Sequence, residues 1–298
     1  MTSRRVLAIA AVAVLICAAV VVLVVVRPGA GRMAALGQGP AAAERFWTRP
    51  RLSHASPLHG PGFRNTLGPA KSPQAHRALR GLRVGALFER QGDAEHFCTA
   101  SVVDSPGRDL LITAAHCINS GKGGSYRQDI VFIPDYRDGQ APFGIWTVRR
   151  LLVAPQWADA SNPDFDVGFV VLNSLDGKNI EDILGANRLG LDTGYQYLVR
   201  VTGYPDSDAA PVTCLNYTSE QSSSQLRFEC AGYTGGTSGS PWMMHFDSHT
   251  RTGTIVGVLG GYEEGGDTPD ISYSAFLGSA IQRLYQQAIS DESSPGGS

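Results

Sequence analysis

The sequence predicts an all-β domain, a sandwich or a barrel, closed by one C-terminal helix and preceded by one transmembrane helix. Three observations carry that expectation: short apolar runs between turn residues, one stretch of helical period near the C-terminus, and one unbroken apolar run near the start. The chain has 298 residues, with 25 Lys+Arg against 27 Asp+Glu, and is 43% hydrophobic but only 17% charged. A net charge of −2 argues against a nucleic-acid-binding surface. Low charge combined with 35 glycines suits a turn-rich β protein better than a disordered chain.

Residues 1–5 read as a cytoplasmic tail. Val6 to Val26 is apolar throughout, is preceded by Arg4 and Arg5, and is closed by Arg27. A run of that length spans a bilayer as a helix and exceeds the apolar core of a cleavable signal peptide. Arg4 and Arg5 keep the N-terminus inside and export the rest, a bias that Arg27 weakens, and residues 6–26 read as a signal anchor. A long signal peptide cut between Ala30 and Ala43 is the alternative. Cys17, in mid-span, reads as an apolar thiol. Residues 27–80 are rich in Pro, Gly, Ala and Arg without an apolar period, and read as a linker or pro-segment mostly lacking fixed structure. His54, His59 and His76 in that stretch lack metal-ligand spacing, while Phe46-Trp47 and Leu79 with Leu82 are candidates to dock on the following domain.

Residues 81–291 form the expected domain, with 292–298 a flexible tail. Candidate strands are Arg83 to Phe88, His96 to Val103, Leu110 to Thr113, Asp129 to Ile133, Gly144 to Val153, Val167 to Leu172, Tyr197 to Thr202, Gln225 to Cys230, Trp242 to Met244, Gly253 to Leu259 and Ser272 to Phe276. From Leu277 to Ile289, apolar residues recur at Leu277, Ile281, Leu284, Tyr285 and Ala288, which is helical spacing.

Chemistry begins where the apolar strand LLIT ends in Ala114-Ala115-His116-Cys117. Small neighbours let the imidazole leave the strand end unobstructed. In Gly235-Gly236-Thr237-Ser238-Gly239-Ser240-Pro241, three glycines surround a serine. Such a loop can aim two backbone N–H groups at one point beside a hydroxyl, which is how an oxyanion is held. Asp166 directly precedes the buried-looking run Val167 to Leu172. A carboxylate there needs a partner, because burying it unpaired is costly.

In the order His116, Asp166, Ser238, these segments resemble the trypsin/chymotrypsin superfamily of serine peptidases, over roughly Gly81 to Asp291. TAAHC and GTSGSP together carry the resemblance, and HFCTASVV resembles the family strand before the histidine. The resemblance implies two antiparallel six-stranded β-barrels with the site in the cleft between them and a C-terminal helix. It implies serine endopeptidase activity through an acyl-enzyme, with Ser238 as nucleophile, His116 as general base and acid, and Asp166 holding the imidazole. Gly236 and Ser238 would supply the oxyanion N–H groups. Asp164 is the runner-up acid, while His96, His245 and His249 read as structural.

The resemblance also implies a Cys98–Cys117 disulfide. Of the three pairings open to the four cysteines after Cys17, that leaves Cys214–Cys230, and such bridges need an oxidising compartment. Thr237 stands where digestive members carry Asp, and no Ile-Val-Gly-Gly start precedes Arg83. A domain active without a new-N-terminus switch is therefore expected, close to the bacterial branch that includes glutamyl endopeptidases. Gly232 lies at the family's primary-pocket base, and Leu259 stands where glutamyl endopeptidases place a substrate-reading His, which argues against Glu preference. Gly260 and Gly261 would leave the pocket wall open to an extended substrate backbone, and Asp270 is a candidate to select a basic side chain.

The expected partners are a protein or peptide substrate and, through the N-terminal helix, a membrane. No nucleic acid, metal or organic cofactor is implied, and a monomer is expected. The alternative function is a peptidase-fold protein that binds peptides or regulates without turnover. A third reading, an α/β-hydrolase-type esterase, is disfavoured because that fold needs a G-x-S-x-G elbow and a histidine after the serine.

Overall fold

The computed structural model describes residues 31–35, 40–58 and 73–290. The expected membrane span 6–26 and tail 292–298 lie outside them, and no described helix is long and apolar enough to cross a membrane. In chain order the elements are β1 (Arg32–Ala35), α1 (Pro40–Phe46), α2 (Arg49–His54), β2 (Ser56–Pro57), β3 (His76–Arg77), β4 (Val84–Gln91), β5 (Ala94–Val102), β6 (Leu110–Thr113), β7 (Gln128–Pro134), β8 (Trp146–Val153), α3 (Pro155–Ala160) and β9 (Gly168–Leu172). They continue as α4 (Ile180–Leu184), β10 (Arg188–Leu189), β11 (Leu198–Gly203), β12 (Val212–Ser222), β13 (Gln225–Glu229), β14 (Pro241–Asp247), β15 (Thr252–Val258), β16 (Ile271–Ala275) and α5 (Ser279–Ser290).

β4 to β9 form a closed antiparallel barrel of six strands, because β8 pairs with β9 as well as with β7. Val, Ile, Leu and Phe fill the inner face, as β-branched and aromatic side chains pack well on a pleated surface. β9 and all but the last two residues of β4 are buried on both faces. What covers the outer face is the segment expected to be a linker. Ala43, Trp47 and Leu52 are buried in the same core cluster as Phe88, Trp47 lies 5.6 Å from the Phe88 ring, and its indole N–H donates to the Asp129 carbonyl at 2.7 Å. The expectation of little fixed structure is thus corrected for 32–35 and 40–58. A few large side chains suffice to dock a polar stretch, since one buried aromatic can contribute about 2–3 kcal/mol.

The second set runs β15-β14-β11-β12-β13-β16, with β10 added in parallel to β15. Its ladder does not close. The end strands meet through two other bonds: the Val258 N–H donates to the Ser274 hydroxyl at 2.9 Å, and the Gly260 N–H to the Tyr273 carbonyl at 3.0 Å. Two six-stranded barrels are therefore present as one closed ladder and one curled sheet. α5 buries Ile281, Leu284 and Ala288 and sets Tyr285 against Phe169 of the first barrel, ring centroids 5.8 Å apart. Both disulfides pair as expected, Cys98–Cys117 and Cys214–Cys230.

Candidate active site

β6 delivers His116. Its strand ends at Thr113, Ala114 and Ala115 are fully buried, and a single 3-10 turn carries Ala115 to Cys117. The disulfide ties that turn to β5. Asp166 follows a second 3-10 turn whose Asn162 side chain accepts the Asp164 N–H. The two acids then part: Asp164 accepts from the Gln225 amide at 2.8 Å, whereas Asp166 grips His116 twice. One carboxylate oxygen accepts the His116 backbone N–H at 2.9 Å and the other accepts Nδ1 at 2.8 Å. The second oxygen also takes the Gly261 N–H at 2.8 Å. Three donors on a fully buried carboxylate offset much of its desolvation. A methyl group at Gly260 would come within 2.9 Å of that same oxygen, so the close approach requires glycine there.

With Nδ1 donating to Asp166, Nε2 of His116 is left as the basic nitrogen. It is buried and has no hydrogen-bond partner among the described residues. Burial pulls the His116 pKa down, but the Asp166 charge and hydrogen bond outweigh it, with help from the Glu264 charge, and the net shift is upward. Cys98 and Cys117 sulfurs also lie close to His116. They are bonded to each other, so they offer no thiolate for a metal.

The serine turn is shaped by backbone. Gly236 and Gly239 have φ of +88° and +83°, which side chains other than glycine rarely tolerate. Space forbids a side chain as well: a Cβ on Gly236 would lie 2.2 Å from the Phe97 ring, and one on Gly239 2.0 Å from the Thr99 carbonyl. The Gly239 Cβ position is also 3.2 Å from the Ala114 nitrogen, so the serine turn abuts the strand end that carries His116. Two peptide planes are pinned by their carbonyls. Gly235 C=O accepts the Asp206 N–H at 2.8 Å, and Thr237 C=O accepts both the Ser240 N–H and hydroxyl, at 3.0 and 2.6 Å. A trans peptide directs its N–H opposite its C=O, so the Gly236 and Ser238 N–H groups are turned the other way. Neither meets a protein acceptor among the described residues. The Thr237 hydroxyl is held internally by the Thr234 carbonyl at 2.6 Å.

The pocket next to Ser238 departs from expectation. Its lining includes Leu58, Tyr233, Thr234, Leu259 and Glu264, and it encloses about 20 Å³, room for about one water. Gly232, Gly260, Gly261 and Asp270 are absent from that lining. The Gly232 N–H donates to the Pro269 carbonyl, behind the pocket, and the Cys230 N–H to the Asp270 carbonyl. Gly261 is occupied on both sides, its N–H on Asp166 and its C=O accepting from Glu264, so only the Gly260 carbonyl is left for a substrate backbone. The acid in the pocket is Glu264, on a 3-10 turn where Glu263 and Glu264 take φ of 52° and 50°. Burial raises its pKa, the Asp166 charge adds to this, and the His116 and Arg127 charges oppose it. Glu264 is not among the site residues expected from the sequence, and no local pattern announces a left-handed turn at two glutamates.

No protein-family model matches this chain, and no curated protein matches it by sequence. Solved structures do match. The protease Anisep from Arthrobacter nicotinovorans is 25% identical with a TM-score of 0.66, over 72% of this chain and 99% of that one. The thermostable serine protease AL20 from an extremophilic microorganism is 24% identical with a TM-score of 0.64, over 70% and 98%. A Glu endopeptidase is 15% identical with a TM-score of 0.59, over 74% and 98%. With one closed barrel, one curled six-stranded sheet and a C-terminal helix, the chain belongs to the trypsin/chymotrypsin-like superfamily.

Proposed function

We propose that the chain is a serine endopeptidase, exported and tethered to the membrane by residues 6–26, that cleaves protein or peptide substrates. The observation that carries this reading is the double grip of Asp166 on His116, which leaves Nε2 buried, basic and unpartnered. In this mechanism Ser238 Oγ attacks the scissile carbonyl carbon while His116 Nε2 takes its proton. Asp166 stabilises the imidazolium, and the N–H groups of Gly236 and Ser238 hold the oxyanion. Collapse returns that proton to the leaving amine and leaves an acyl-serine. Water, deprotonated by the same nitrogen, then releases the acid and restores Ser238. Glu264 in the pocket favours a cationic side chain on the residue whose carbonyl is attacked. The disulfides suit an oxidising, extracytoplasmic setting.

A second reading, a peptide-binding protein without turnover, draws on the closed pocket. Leu58, whose N–H donates to the Phe97 carbonyl at 3.0 Å, lines that pocket together with Glu264. The peptidase reading requires both to yield to substrate. The experiment is cleavage of a peptide library by the full chain in detergent, with Ser238→Ala as control. Turnover that needs Ser238 supports the peptidase, and Leu58→Ala is then expected to raise kcat/KM several-fold by opening the pocket. Saturable peptide binding without turnover in either the wild type or Leu58→Ala favours the second reading.

A further inference from the structure

Against the second sheet, toward the end of β14 away from Ser238, lies a cavity of about 390 Å³. Ser238 lies three residues before the start of β14, and Phe246 and Ser248 reach the cavity from that strand's other end. Its remaining walls are the segment from His76 to Val84 and the faces of β11 and β12. Five arginines line it: Arg77, Arg80, Arg83, Arg200 and Arg251, with no Asp or Glu among the lining residues. In a chain of net charge −2 this is a local concentration and not a reflection of composition.

Arg77 is balanced by ion pairs to Asp138 and Asp208. The other four have no carboxylate partner among the described residues. Arg83 donates to the carbonyls of Thr250 and Arg251, and Arg251 to that of Arg80. Those two guanidiniums are thus held in place by neutral acceptors that leave their charge uncompensated. Arg200 lies over the Phe246 ring at 4.8 Å. The Nε atoms of Arg83 and Arg200 are buried without an acceptor among the described residues. Asp247, on the same turn, commits one carboxylate oxygen to the N–H groups of His249 and Thr250. Burial also lowers the Arg83 pKa, a sign that its charge is short of solvation.

Four like charges around one hollow repel each other, and two buried donors are left unmet. A bound anion relieves that repulsion, and the planar guanidinium fork suits phosphate and carboxylate oxygens. The volume falls in the range of small-molecule sites. We infer that this cavity is a binding site, separate from the peptidase centre, for a compact ligand carrying two or more oxyanion groups. Inorganic polyphosphate and an organic polycarboxylate share that chemistry.

The test is isothermal titration of tripolyphosphate, and separately of citrate, into the full chain in detergent at physiological ionic strength, carrying Ser238→Ala to prevent self-cleavage. One-to-one binding of either is expected, and whichever binds more tightly identifies the source chemistry. The double variant Arg200→Gln/Arg251→Gln is expected to weaken it by about a hundredfold, roughly tenfold for each charged hydrogen-bond donor removed. Arg200→Lys, which keeps charge but loses the fork, is expected to fall between. The double variant's unliganded melting temperature checks its fold. Should it be unfolded, Arg251→Gln alone is measured, with about a tenfold loss expected. Absence of stoichiometric binding by either probe overturns the inference, as does affinity unchanged in a folded variant.

Discussion

The two halves of the molecule meet at one site but contribute to it by different means. The first barrel is a closed ladder and supplies side-chain chemistry: His116 and Asp166, buried and bonded to each other, with a disulfide alongside. The second is a curled sheet and supplies backbone conformation: two left-handed glycines, pinned carbonyls and two unengaged N–H groups around Ser238. A closed barrel can hold charge in a dry interior because every strand is supported on both sides. The open sheet leaves its turns free to take the conformation the serine requires.

That contrast is sharpest if the two halves fail differently. Asp166→Asn is expected to lower kcat/KM about 10⁴-fold, because an amide no longer enforces the tautomer with Nε2 basic. Its melting curve should fall only by the loss of one or two hydrogen bonds, about 1–3 kcal/mol. Gly239→Ala is expected to act on stability as well. Its Cβ would overlap the Thr99 carbonyl, and the positive φ adds strain, so chemical denaturation should report a loss of at least about 2 kcal/mol. If Gly239→Ala melts like the wild type, backbone conformation is not what the second half contributes.

Charge burial in the first barrel can be tested apart from catalysis. Glu89 is wholly buried, with both carboxylate oxygens lacking partners among the described residues, and burial pushes its pKa up to about 7 against the pull of Arg127. The folded state then keeps a proton that the unfolded chain has released. Stability should therefore fall as pH rises from about 4.5 to about 7, then level off. Glu89→Gln should flatten that slope and gain up to about 3 kcal/mol at pH 8, read by urea denaturation. The smallest effect is expected where the halves touch. Glu264 raises the His116 pKa through its charge, so Glu264→Gln should move the acid limb of the kcat/KM profile to lower pH. A shift upward, or none, would detach Glu264 from the site.

The sequence was most legible where period or motif and physics coincide. Leu110 to Thr113 is a strand as expected, and the helical spacing after Leu277 became α5. Of the two candidate acids, Asp166 directly precedes a run that β9 buries on both faces, and it is the one bonded to His116. β12 was missed although it is an eleven-residue strand, since its second half, Tyr217 to Ser222, is mostly polar and, apart from Thr218, exposed or half-buried. α1 and α2 were missed because docking by Ala43, Trp47 and Leu52 leaves no apolar period in a stretch of Pro, Ala and Arg. The pocket was the least legible part. Expectation placed an acid at Asp270 and openness at Gly261, but which carboxylate reaches Ser238 depends on a turn in an uncommon backbone conformation. Such conformations are set by packing across the whole domain and leave no local pattern.

The central claim is that Ser238 is a nucleophile activated by His116. Treating the full chain in detergent with a fluorophosphonate probe, beside Ser238→Ala and His116→Ala, tests it most directly. Labelling of the wild type that disappears in both variants is the predicted result. Failure of the folded, oxidised wild type to label, or labelling that survives His116→Ala undiminished, would contradict it.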